Sequence, residues 1–288
     1  MTYQGTTLRV VLTQNKPFIP CVETNSQNTR GGSWPRVSAE VWHEFNLSSL
    51  NDIYSDLLDR SIPEMHLHID QMIDGLIIEN TKGIKFIMSR NDALMQPTLN
   101  IAKSRFAHAE GLGLSHMCAA AGRTTAIKAR VSVDHVIALD KVPRRNLVVG
   151  LGKSSTKFSI AGFIHDHGPL QLTQPAHLSV LSQLAHFCEA ANTPYGYIQT
   201  DKELVACWFK RDGDPDKDYK VYVMAIPWSS YGTRRLTTDL GLWWLCMKAL
   251  SPEHDPQMEQ VDASGAEAAP PPDYLSQLFY YNPDDPST

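Results

Sequence analysis

A mixed α/β fold is what the hydrophobic periodicity of this chain predicts, and three observations lead to it. Helical spacing over residues 91–112 gives way to alternating runs at 125–131, 134–139 and 146–152. Helical spacing then returns over 175–191, with Leu178, Leu181, Leu184 and Phe187 on one face, and further strand patterns follow. Helix, three strands, helix and strands in that order exclude an all-α or all-β protein. A chain of 288 residues, 42% hydrophobic and 20% charged, suits one substantial core with decorations rather than two full domains.

Residues 7–13 read as a short strand, and the stretch that follows to Pro35 is rich in Asn, Thr, Gly and Pro, so residues 1–47 are expected to be a strand and a flexible segment. Ser48 begins a helix with Leu50, Ile53, Tyr54, Leu57 and Leu58 on one face. After Ile62-Pro63 a second amphipathic segment runs towards Gly75, so residues 48–89 are expected to form an N-terminal helical cap on a core spanning 90–250. Within that core, strands are predicted near 195–200, 204–210 and 219–226, and a last helix over 238–250. Residues 251–288 hold three consecutive prolines and eight acids without a Lys or Arg, and this composition predicts an acidic, Pro-rich, disordered tail.

Charge and cysteine usage narrow the function classes. The net charge of −5 argues against a protein that simply coats nucleic acid, yet residues 123–157 hold eight basic residues against Asp134 and Asp140, a local +6. Five scattered cysteines with no Cys-x-x-Cys spacing give neither a disulfide framework nor a zinc knuckle, and buried free thiols are expected. No run approaches the length of a membrane span, and Met1 to Gln14 lacks a secretory pattern, so an intracellular protein, cytoplasmic or nuclear, is expected.

Gly150-Leu-Gly-Lys153-Ser154-Ser155 has the look of a phosphate-binding loop. It lacks the glycine five positions before Gly-Lys, where Leu147 stands, and no helix pattern follows it. A different chemistry fits better. Asp134 and Lys153 fall at the ends of a hairpin whose turn holds Lys141, Arg144 and Arg145, so an acid and an amine are expected to meet. Metal-dependent phosphodiester cleavage uses carboxylates to hold divalent ions and a lysine to position the attacking water.

Here the chain resembles the PD-(D/E)XK nuclease superfamily, and more closely a group of fungal nuclease-like proteins. The resemblance covers about residues 90–250. It rests on Val133-Asp134-His135, on Asn146-Leu147-Val148-Val149-Gly150-Leu151-Gly152-Lys153, on Gln183-Leu-Ala-His-Phe187, and most specifically on Tyr195-Gly196-Tyr197-Ile198-Gln199-Thr200-Asp201-Lys202-Glu203-Leu204. It implies a restriction-endonuclease-like αβββαβ core with an N-terminal helical extension. It also implies catalytic roles for Asp134, Lys153 and Gln183, with Asp134 as the ligand of a Mg²⁺ ion. The aspartate of the family's second motif is Leu151 here, and an apolar side chain cannot replace a metal ligand. Glu110 and Glu189, on the flanking helices, are the candidates for a migrated acid.

Two functional classes follow: a nucleic-acid-binding or protein-interaction scaffold with weak or no hydrolysis, and an active Mg²⁺-dependent nuclease. A third is recruitment of the fold to an unrelated pathway such as small-molecule biosynthesis. Lys141, Arg144, Arg145 and Lys157 are the candidate contacts to DNA or RNA phosphates. Each residue also has a plainer reading: Asp134 as a turn cap, Lys153 as a strand-end lysine, Gln183 as a half-exposed helix position, Glu110 and Glu189 as surface glutamates, the basic hairpin as a solvated turn. His165-Asp166-His167 and His66-Leu67-His68 lack further ligands for a metal, and Trp243-Trp244 reads as core.

An acidic tail and a basic hairpin in one chain predict that the tail competes with a polyanion for the hairpin. Deleting residues 252–288 is expected to strengthen DNA binding at low salt, read by fluorescence anisotropy, and unchanged affinity would sink the idea.

Overall fold

The computed structural model describes residues 5–22, 34–63, 69–102, 113–118, 133–140, 145–160, 175–211 and 218–251. Among these are five α-helices: α1 (Leu8–Leu12), α2 (Leu47–Leu58), α3 (Ile84–Ala102), α4 (Pro175–Ala191) and α5 (Thr238–Leu250). A small ladder pairs β1 (Thr6–Thr7) with β3 (Ser61–Ile62). The main sheet comprises β2 (Val37–Val41), β4 (Gly113–Cys118), β5 (His135–Asp140), β6 (Arg145–Gly152), β7 (Tyr195–Gln199), β8 (Glu203–Arg211) and β9 (Tyr219–Pro227). Its spatial order is β2-β9-β8-β7-β6-β5-β4.

Strands β4, β5 and β6 form an antiparallel meander, and β7 then joins β6 in parallel. A parallel neighbour cannot be reached through a tight turn, and α4 supplies the crossover. Strands β8 and β9 continue antiparallel, and β2 closes that edge parallel to β9. The sheet is therefore mixed, and the protein belongs to the mixed α/β class.

Alternation along the strands divides the core into two layers. On one face Val136, Val149, Leu151, Ile198, Val205 and Val221 meet Val180, Leu181, Leu184 and Cys188 of α4. On the other, Ile137, Val148, Tyr195 and Tyr197 meet α3 and α5, and the same cluster runs on to Leu8 and Leu12 of α1 and Leu50 and Leu58 of α2. The N-terminal helices thus share a core with the sheet. Helix α5 is buried all round, including Trp243 and Trp244, as expected of a helix enclosed between layers.

Local signals explain several boundaries. Helix α4 stops at Asn192, whose φ of 53° is left-handed. The Thr193 N–H returns to the Cys188 carbonyl at 3.1 Å and the Asn192 N–H to the Glu189 carbonyl at 3.2 Å, the two bonds of a Schellman motif. Helix α5 starts at Thr237, whose hydroxyl accepts from the Leu240 N–H at 3.2 Å and donates to the Leu12 carbonyl. Helix α3 tolerates Pro97, and the neighbouring Thr98 hydroxyl donates to the Leu94 carbonyl at 2.8 Å.

Some expectations need correction. Residues 7–13 are not a strand: Thr7 caps a short helix by accepting from the Val10 N–H at 3.2 Å, and Leu8, Val11 and Leu12 turn inward at helical spacing. Strand β2 was not anticipated, because only its partner β9 gives those few residues a ladder. Helix α3 begins at Ile84, earlier than the spacing suggested. The segments 103–112 and 119–132, with the strand predicted at 125–131, and the tail 252–288 lie outside the described residues. Cys188, Cys207 and Cys246 are buried free thiols, as expected.

Three consecutive residues of α3 point buried polar groups at different elements. Arg90 forms a two-pronged ion pair with Asp239 of α5 (2.9 and 3.0 Å) and reaches Asp70 at 2.9 Å. The Asn91 amide donates to the Gln199 carbonyl oxygen at 2.9 Å, and Asp92 meets His135. Lys16 stands 3.6 Å from Asp239 and packs over Trp228. Burial pushes the Asp239 carboxyl up, but Lys16 and Arg90 outweigh it and hold it below the usual carboxylate range.

Removing one partner of such a pair leaves a buried charge unmatched. Asp239→Asn is expected to cost roughly 3–5 kcal/mol in urea unfolding, and adding Arg90→Met is expected to recover part of the loss.

A candidate acid and amine site at the open end of a hairpin

The register of β5 and β6 pairs His135 with Gly150, so Asp134 and Lys153 both lie at the open end of the hairpin. The Asp134 carboxylate accepts the Gly152 N–H at 3.0 Å, and the Lys153 N–H donates to the Gln199 carbonyl at 3.0 Å. Asp134 is half-buried and Lys153 buried. Burial pulls the lysine pKa down, Asp134 opposes this, and nearby Lys157 adds to it. The two groups lie close enough to interact electrostatically.

The chain after β6 is held by the turn between β7 and β8. Ser155 gives its N–H and its hydroxyl to the two oxygens of Asp201, both at 2.7 Å, and the Ile160 N–H donates to Glu203 at 2.8 Å. Asp201 and Glu203 are buried, and the Thr200 hydroxyl accepts the N–H groups of Lys202 and Glu203. Thr200-Asp201-Lys202-Glu203 is thus a clamp on the segment that carries Lys153. It also disposes of the phosphate-loop resemblance: the N–H of Ser155 already faces a carboxylate.

Leu151 shares the face of Val149 and is 2% exposed, packed in the layer beneath α4. An acid there would have to leave that apolar layer to reach an ion. Gln183 is half-buried on α4, between the core residues Leu181 and Leu184, and no hydrogen bond joins it to Asp134 or Lys153. Glu189 pairs with Arg211 at 3.2 Å. Arg211 lies seven residues along β8 from Leu204, which pairs with Gln199 beside Lys153, so Glu189 stands about 23 Å away at the opposite end of the sheet. It cannot complete a metal site with Asp134. Among the described residues no group of three acids, histidines or cysteines is arranged to hold a metal ion.

Arg145 is not extended into solvent. Its guanidinium donates to the Ala249 carbonyl at the end of α5 at 2.7 Å, and it begins β6, about 26 Å along the strand from Lys153. The Lys157 ammonium donates to the Thr81 hydroxyl at 2.8 Å. Glu110, Lys141, Arg144 and the histidine pairs at 66–68 and 165–167 lie outside the described residues.

One polar relay escaped the sequence reading. His135 is fully buried between Asp92 of α3, 2.5 Å from Nε2, and the Tyr197 hydroxyl, 2.6 Å from Nδ1. In the neutral tautomer that donates its Nε2–H to Asp92, Nδ1 accepts from the tyrosine hydroxyl. The relay faces away from α4, and a Cβ on Gly150 would lie 2.6 Å from the Tyr197 ring. Tyr197 is 0% exposed, so this is a brace between α3, β5 and β7 and not a nucleophile. Only the spacing Asp134-His135, which sends the two side chains to opposite faces, hinted at it.

The geometry defines a mixed α/β protein with an acid and amine pair where β5 and β6 part. No family model, curated protein or solved structure matches the chain. No helix among the described residues is long and apolar enough to cross a membrane.

A lysine whose pKa is lowered by folding binds fewer protons folded than unfolded, so stability rises with pH through the window below its ordinary value of 10.5. Lys153→Met is therefore expected to be more stable than the wild type near neutral pH, with an advantage that shrinks as pH climbs towards that value. Thermal unfolding of both proteins across the range checks it.

Proposed function

We propose that this chain is a PD-(D/E)XK nuclease-like protein whose restriction-endonuclease-like core survives as a nucleic-acid-binding scaffold, with hydrolysis weak or lost. The order α3, β4-β5-β6 meander, α4 and parallel β7 supports the core assignment, since it is the αβββαβ order of that superfamily. The location of Asp134 and Lys153 at the open end of the meander supports reading them as counterparts of its first acid and its lysine. The basic composition of residues 123–157 supports a polyanionic partner.

The observation that carries the loss of hydrolysis is Leu151, 2% exposed where the second carboxylate would stand. A divalent ion needs several oxygen ligands, and Asp134 alone, already accepting an amide N–H, would hold it weakly. A residual metal-dependent activity is a second reading, favoured by Lys153: a buried amine that binds its proton less tightly suits a group that orients an attacking water.

Anisotropy with single- and double-stranded DNA and RNA, alongside cleavage assays in Mg²⁺ or Mn²⁺, separates the two. Binding that weakens steeply with salt and no cleavage is the expected result. Cleavage abolished by Asp134→Ala and by Lys153→Ala would overturn it in favour of the enzyme, and absence of binding would remove the scaffold reading. Leu151→Asp buries a carboxylate in an apolar layer and is expected to lower the melting temperature, with partial recovery on adding Mg²⁺. Failure of Mg²⁺ to restore stability would count against a latent metal site.

A further inference from the structure

At the end of the sheet remote from Asp134, the last turn of α4 and the last residues of β8 enclose a cleft of about 500 Å³. That volume lies in the range of small-molecule sites. Its floor is apolar, made by Ala185, Cys188, Pro194 and Phe209. The Tyr219 ring meets Phe209 edge-on at 6.4 Å. The Schellman turn at Asn192 fixes one wall, and the Phe209 N–H bonds the Pro194 carbonyl at 2.8 Å, so the floor is braced by backbone.

Its polar groups are concentrated at the rim. The Arg211 guanidinium lies 4.5 Å over the Tyr219 ring and pairs with Glu189 at 3.2 Å, with its side chain 70% exposed. Lys210 stands 3.8 Å over Trp208 and 5.5 Å over Tyr222, on the opposite face of β8 from Arg211. Asp218, the nearest described acid in sequence, is turned aside to the Arg36 N–H at 2.8 Å. Among the described residues Arg211 thus faces Glu189 at the mouth of an apolar, ring-lined floor.

We propose that this cleft binds a small molecule made of a planar ring with one anionic group, the ring on the apolar floor and the anion on Arg211 in place of Glu189. A guanidinium stacked on an aromatic face is held in orientation and still presents N–H groups to a carboxylate or phosphate. Glu189 acts as an internal competitor, a carboxylate that occupies Arg211 until the ligand displaces it. The site is independent of the acid and amine pair and of any nucleic-acid binding.

Isothermal titration of the full chain with a nucleoside monophosphate and, separately, with benzoate tests this, because the two share the ring and the anion but differ in source. Saturable binding of either is expected. Arg211→Ala is expected to weaken it roughly tenfold, the usual loss for one charge-assisted hydrogen bond. Glu189→Gln removes the competitor and is expected to tighten binding roughly two- to fivefold, a direction that simple damage to the fold would not produce. Absence of binding by both ligands, binding indifferent to Arg211→Ala, or weakening by Glu189→Gln would each overturn the proposal.

Discussion

The buried ion pair between Arg90 and Asp239 is the constraint on which the rest of the architecture depends. It joins α3, which lies over the open end of the β5-β6 hairpin, to α5, the helix enclosed on every side by the core. Charges at 1% and 2% side-chain exposure are tolerable only as partners, and Lys16 and Asp70 complete a set that is balanced in sign. The next two residues extend the constraint: Asn91 fixes α3 to Gln199 at the end of β7, and Asp92 fixes it to His135 at the start of β5. A rotation of α3 by one residue would break all three attachments, so its register is set by polar groups and not only by its apolar stripe.

This register matters for the acid and amine pair because both residues border strands that α3 braces. Asp134 directly precedes His135, and the Lys153 N–H bonds the carbonyl of Gln199. The carboxylate and the ammonium are thus held from behind by buried contacts, while the Thr200 to Glu203 turn holds the chain beyond the lysine. Leu151 packs in the apolar layer against α4 and strengthens it.

The two ends of the sheet have become chemically different. At one end polar groups converge on Asp134 and Lys153. At the other, Arg145 ties β6 to the end of α5 and the Schellman turn of α4 frames a cleft with an aromatic floor. Glu189 shows how firmly strand and helix direction impose this division: α4 runs back along the sheet, so an acid near its C-terminus is carried to the far end, however close in sequence it stands to Gln183.

The sequence by itself determined most of the element order of the core, though not strand β4 at Gly113–Cys118. Helix α4, helix α5 and strands β5 to β9 are legible because their apolar positions repeat at 3.6 or 2 residues, and that period is a local property of the chain. It also brought Asp134 and Lys153 together, since two strands joined by a short connection form a hairpin whose ends meet. Tertiary structure decided what has no local signature. The edge strand β2 exists only beside β9, and residues 8–12 became helical because Thr7 caps them and α5 accepts their apolar face. The direction of α4 removed Glu189 from the site, the end of α5 claimed Arg145, and the burial of His135 between Asp92 and Tyr197 made a brace from residues far apart in the chain. Such partners are chosen by distance in three dimensions, and periodicity along one dimension does not encode it.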